Sequence, residues 1–102
     1  MTGSAATAAT RAARVRIPGL LRSYTGGAEI VDVELDAAAP SVAAALAALD
    51  ARFPGIAFRL VDEQGAIRPH IKLFVGRGIA RDLATPIPPG AELMIVGALS
   101  GG

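Results

Sequence analysis

The chain reads as a single α+β domain, a small sheet with one main helix on one face. Three observations carry that expectation. Short runs of period-two alternation lie toward both ends of the chain, one apolar helical stripe lies between them, and Gly/Pro clusters punctuate the elements. A length of 102 residues fits one domain with one core.

Taken in order, Ala13-Arg14-Val15-Arg16-Ile17 alternates, with Val15 and Ile17 on one face and the two arginines on the other, and Pro18-Gly19 stops it. Leu20 and Leu21 follow and are expected to close the core of a hairpin; Gly26-Gly27 marks a turn. Residues 29–35 alternate again, Val31, Val33 and Leu35 inward and Asp32 and Glu34 outward, so the two strands should pair antiparallel. Ser41 is a candidate N-cap for a helix over 42–52, whose Val42, Leu46, Leu49 and Phe53 form one apolar stripe. The alanines between them favour helix, and Pro54-Gly55 ends it. Residues 56–60 have room for a second short helical turn, and Gln64-Gly65 for a chain reversal. Ile71-Lys72-Leu73-Phe74-Val75 is a third strand, Gly76-Arg77-Gly78 a tight turn, 79–85 irregular and 86–90 a stiff loop. The last strand, 92–96, is apolar on both faces and is expected to be central. If it lies parallel to the first strand, its far end projects from one end of the sheet.

Composition excludes several function classes. Ten basic and nine acidic residues leave a net charge of +1, without the basic stripe of a nucleic-acid binder. The absence of Cys removes thiol catalysis, disulfides and Cys-based metal sites, and is compatible with a reducing cytoplasm. No apolar run approaches a membrane span. Residues 1–12 are small and weakly polar, with neither the basic start nor the apolar stretch of a secretory signal; a disordered leader is expected there. The domain is expected over 13–97.

The chain ends Ser100-Gly101-Gly102, a few residues after the last strand. At about 7% Gly usage, two terminal glycines arise by chance in roughly one chain in 200. Gly lets a backbone approach a partner closely and adopt either sign of φ. Residues 98–102 therefore read as a flexible tail able to enter a narrow channel, with Gly102 as the reactive terminus. Leu99 has two readings, a docking residue or a continuation of strand pairing. Phe74, with Lys72, Arg14 and Arg16, should lie on the sheet face away from the helix, where an aromatic among charges marks a partner surface. His70 stands alone and reads as a surface or hydrogen-bonded residue rather than a ligand, and no carboxylates cluster at metal-ligand spacing.

Several pieces in this order resemble the MoaD/ThiS family of ubiquitin-like β-grasp sulfur carriers. They are residues 15–27, the helix of Leu46 and Leu49 followed by Phe53-Pro54-Gly55, the strand Ile71–Val75, Pro89-Gly90-Ala91-Glu92 before the last strand, and Gly101-Gly102. The resemblance covers about 14–102 and implies a mixed sheet of four to five strands with one main helix on one face. The stretch 17–27 looks most like carriers that feed cysteine biosynthesis; a molybdopterin-synthase small subunit and a thiamine sulfur carrier are the alternatives.

The resemblance implies that the protein is a carried substrate and no enzyme. An activating adenylyltransferase would use ATP to adenylate the Gly102 carboxylate, a sulfur donor would displace AMP to leave a thiocarboxylate, and a downstream enzyme would accept the sulfur. Neither a metal nor a cofactor is then expected in the carrier, nor a nucleic-acid or membrane partner. Two other classes stay open: a modifier that forms isopeptide bonds through the same glycine, and a β-grasp interaction module that is never activated.

Overall fold

The computed structural model of the protein describes residues 9–97. Strands β1 (Thr10–Arg16), β2 (Ile30–Asp36), β3 (Ile71–Val75), β4 (Gly78–Ala80) and β5 (Leu93–Gly97) form one mixed sheet, with helix α1 (Val42–Arg52) on one face. Across the sheet the order is β2-β1-β5-β3-β4. The first and last strands are thus central neighbours, parallel, with Val15 beside Leu93 and Arg16 beside Met94. This is the ubiquitin-like β-grasp architecture. Joining two parallel strands requires a crossover, and here that crossover is most of the chain, α1 included.

Alternation decides the layers. Val15, Val31, Val33, Leu35, Leu73, Leu93 and Ile95 all face α1 and are buried, while Arg14, Arg16, Asp32, Glu34 and Lys72 face outward and are exposed. From the helix, Val42, Ala45, Leu46 and Leu49 close the layer. Each large apolar side chain enclosed this way contributes about 1.5–3 kcal/mol. Ser41 caps α1 as expected, its Oγ accepting from the Ala44 N–H at 3.2 Å. At the other end Gly55 takes φ +98°, a region open to Gly, and the Asp50 carboxylate accepts from the N–H groups of Gly55 and Ala57 at 3.0 Å. A short 3₁₀ turn at Ala57–Arg59 follows, where a second helical turn was expected.

Five details differ from the expectation. β1 begins at Thr10, so residues 10–12 belong to the sheet and not to a leader: Thr10 pairs with Asp36, Arg11 with Leu35 and Ala12 with Glu34. The long β2 supplies the ladder that draws this short polar stretch into a strand. Phe53 is half-buried at the C-cap, outside the helical stripe, and Ala45 takes the enclosed place. Leu21 is buried but Leu20 is 38% exposed. Ala80 and its neighbours form β4, pairing Leu73 with Ala80 and Val75 with Gly78, where an irregular stretch was expected. Within the loop 86–90, Ile87 is fully buried; its N–H donates to the Pro40 C=O at 2.8 Å, and its own C=O accepts from the Arg11 guanidinium.

Candidate functional site

Register places one row of side chains across the outer face. Arg16 lies opposite Ile30 and beside Met94, Met94 opposite Phe74, and Phe74 opposite Ile79. In the next row Lys72 lies opposite Val96. β5 is central, as its sequence predicts, but its apolar residues are buried on one face only: Leu93 and Ile95 are enclosed, Met94 is half-buried, and Val96 is 40% exposed. Phe74 is half-buried, and Ile79 and Ile30 are exposed. Phe74, Met94, Val96 and Ile79 make an apolar centre on the open face of the sheet, with Lys72 at one side of it.

The structure brings all four expected surface residues, Phe74, Lys72, Arg14 and Arg16, onto this face, but in two settings. Arg14 Nε lies 3.2 Å from Asp32 Oδ1, and Arg16 Nε lies 2.7 Å from Glu92 Oε1. Lys72 forms no salt bridge among the described residues. The shallow depression bounded by Ala12, Arg14, Asp32 and Glu92 is accordingly walled by charges that are already paired, Arg14 with Asp32 and Glu92 with Arg16.

The exit of the tail is the second feature. Gly97 ends β5 opposite Ile71, and a Cβ there would overlap Leu20 Cδ2. Leu20, expected in the core, instead covers this terminal glycine at the sheet's end. Leu99, Ser100, Gly101 and Gly102 lie outside the described residues. β5 itself ends at Gly97, at one end of the sheet. His70 is half-buried beside this exit, in a groove with Leu20, Phe58, Arg59 and Arg68. Among the described residues no three His, Asp or Glu side chains gather as a metal-binding group, and no helix is long and apolar enough to cross a membrane.

No family model and no curated protein matches this chain. Solved structures do. CysO of Mycobacterium tuberculosis is 30% identical, with a TM-score of 0.75 over 85% of this chain and 99% of that one. CysO of Amycolatopsis orientalis, solved in a complex with BexX, is 29% identical, with a TM-score of 0.77 over 88% and 99%. SAMP1 of Haloferax volcanii is 26% identical, with a TM-score of 0.73 over 90% and 100%. These likenesses run over nearly the whole of each neighbour, so the chain belongs to the MoaD/ThiS family of ubiquitin-like β-grasp sulfur carriers.

Proposed function

We propose that the protein carries sulfur as a thiocarboxylate on Gly102, in a pathway of the cysteine-biosynthesis type. The observation that supports this most is the central β5 ending at Gly97, four residues before a Gly-Gly sequence in a chain that resembles CysO. An extended segment 98–102 reaches roughly 17 Å, enough to place a carboxylate in a partner's interior while the domain stays outside.

The chemistry needs two steps. An α-carboxylate is an anion at neutral pH. One of its oxygens attacks the α-phosphorus of ATP, and pyrophosphate leaves, giving an acyl adenylate. The carbonyl carbon now bears a good leaving group in place of an oxide. A sulfide-level donor attacks that carbon, AMP departs, and a C–S bond stands where a C–O bond was. The cations that neutralise phosphate charge come from the activating partner; the carrier's part is presentation. Glycines at 101 and 102 offer no side chain to collide with a channel wall.

Intact-mass measurement tests this reading. With a cognate adenylyltransferase, ATP and sulfide, the protein is expected to gain the difference between one sulfur and one oxygen atom, at its C-terminal residue. An unchanged mass beside a partner that demonstrably hydrolyses ATP would overturn it. A second reading, a modifier joined to target lysines, is favoured by the likeness to SAMP1, a small archaeal modifier protein. Conjugate ladders on a gel without sulfide consumption would select that reading.

A further inference from the structure

The end of β5 is flanked by cations that form no salt bridge among the described residues. In the β3–β5 register each step forward along β5 is a step back along β3, so β5 ends at Gly97 level with Ile71, the residue that follows His70. Arg68 is brought there by a local fold. Its N–H donates to the Leu60 C=O at 2.9 Å, a bridge pairs Val61 with Ile67, and its Nε donates to the Phe58 C=O at 2.8 Å. The guanidinium then stacks 4.7 Å from the centroid of the Phe58 ring, which is 56% exposed. Arg59 and His70 line the same groove of about 310 Å³. A neighbouring groove shares Arg68 and adds Lys72 and Arg81.

Among the described residues none of Arg59, Arg68, Lys72 and Arg81 forms a salt bridge. Two acids of the flanking loops serve the backbone instead, while Glu63, beside the first of them in the chain, forms no salt bridge among the described residues. Asp62 accepts from the N–H groups of Gln64 and Ala66, and Asp82 from that of Ala84, all at 2.9 Å. The result is a collar of like charge with an apolar floor of Leu20 and Phe58, in a protein whose net charge is only +1.

We propose that this collar docks on a carboxylate-lined rim at the mouth of the protein that takes up the tail. The proposal rests on the reading of residues 98–102 as an activated tail. The nucleotide is not the collar's ligand, because its phosphates meet the carboxylate of Gly102, roughly 17 Å away along an extended chain. A protein rim lies where the collar lies, around the point at which the tail enters. Rim charges act on encounter more than on the bound state, by steering the partners together in a salt-dependent way. A planar guanidinium held over the Phe58 ring and tied to the Phe58 C=O also presents its free N–H groups to a carboxylate with little further ordering.

The test is the steady-state rate of C-terminal sulfur loading by a cognate adenylyltransferase, at low and high salt. Arg59→Glu with Arg68→Glu is expected to lower kcat/KM by about ten- to a hundredfold at low salt, through KM, and to flatten the salt dependence of the wild type. Arg59→Glu with Arg81→Glu leaves the Arg68 hydrogen bond and stack intact and is expected to act in the same direction, which guards against a folding defect. Arg77→Glu, the same change of charge in the turn at the opposite end of β3, is expected to load like the wild type. Equal rates for all variants would overturn the collar while leaving the carrier reading in place. So would faster loading of the reversed variants, which would mean that the collar holds the tail's own carboxylate. A wild-type protein that never loads beside an active partner would overturn the carrier reading, and the collar with it.

Discussion

On the β1–β2 side of the outer face, Arg14 and Arg16 each sit against a carboxylate, at 3.2 and 2.7 Å. Around the tail exit Arg59, Arg68, Lys72 and Arg81 have no such partner among the described residues. The two regions use the same residue types on one sheet and its flanking loops. They differ in what lies opposite: β2 contributes Asp32 directly across from Arg14, whereas β5 contributes Val96 across from Lys72. An exposed ion pair is worth little, about 0–1 kcal/mol, and its charges largely cancel at a distance. Unpaired cations keep more of their field, and here they stand around the end of β5. On the proposal above, that side of the face is the one that meets an acidic surface.

The largest expected effect falls on neither region but on the tail that one of them surrounds. Removing Gly102 is expected to abolish sulfur loading, because the carboxylate retreats by one residue, about 3.5 Å, out of line with the α-phosphorus. Gly101→Val is expected to be nearly as severe, since a β-branched side chain restricts the backbone and fills a channel shaped for Gly. The thermal midpoint should stay where it is in both variants. Normal loading by the truncated protein would mean that Gly102 is not the reactive residue.

Adjacent residues of β3 separate stability from docking. Leu73 points into the core and is fully buried; Phe74 points out and is half-buried beside Met94 and Ile79. Leu73→Ala is expected to cost about 2–5 kcal/mol, the range for a large-to-small change in a packed core, with loading by the surviving folded fraction unchanged. Phe74→Ala is expected to cost less than half as much and to lower loading several-fold, by removing the apolar centre of the face. Denaturant midpoints and loading rates on the same samples decide it. If Phe74→Ala loads normally, the docking surface is confined to the tail exit.

The sequence carried most of the sheet and little of the collar. Alternation at 13–17, 29–35 and 71–75 reports which face is buried, because a half-buried strand must alternate, and the Ser41 cap and the Pro54-Gly55 stop report the helix almost to the residue. β4 is three residues long and is defined only by its pairing with β3, so no local pattern announces it. Residues 10–12, Thr-Arg-Ala, carry no apolar alternation and become strand because β2 extends beside them. On the outer face, the apolar run of β5 hid the alternation of Met94 and Val96, since both faces carry apolar residues and only exposure tells them apart. Phe74, Lys72, Arg14 and Arg16 were legible as one face from the period of two. Whether each cation has a partner depends on cross-strand register, which the sequence of one strand does not contain. Arg59 and Arg68 are nine positions apart, and their meeting depends on the turn at Ala57–Arg59 and the bridge of Val61 to Ile67.

The smallest expected effect is the one that most sharpens the contrast between the two regions. Replacing Arg14 and Asp32 together, Arg14→Gln with Asp32→Asn, removes an exposed ion pair without changing the net charge. Both side chains are more than half exposed, at 56% and 55%, so water already screens their attraction. Stability is expected to change by less than about 1 kcal/mol. Loading is expected to stay near the wild-type rate, with its salt dependence intact, because the pair contributes almost no field at the distance of an approaching partner. Lys72→Gln removes only one charge yet is expected to slow loading more, and to reduce the salt dependence, since that charge is uncompensated and stands beside the tail exit. Measuring both variants at two ionic strengths gives the comparison directly. If the Arg14–Asp32 variant slows loading as much as Lys72→Gln, pairing is not what separates the two regions, and the docking surface extends across the whole outer face.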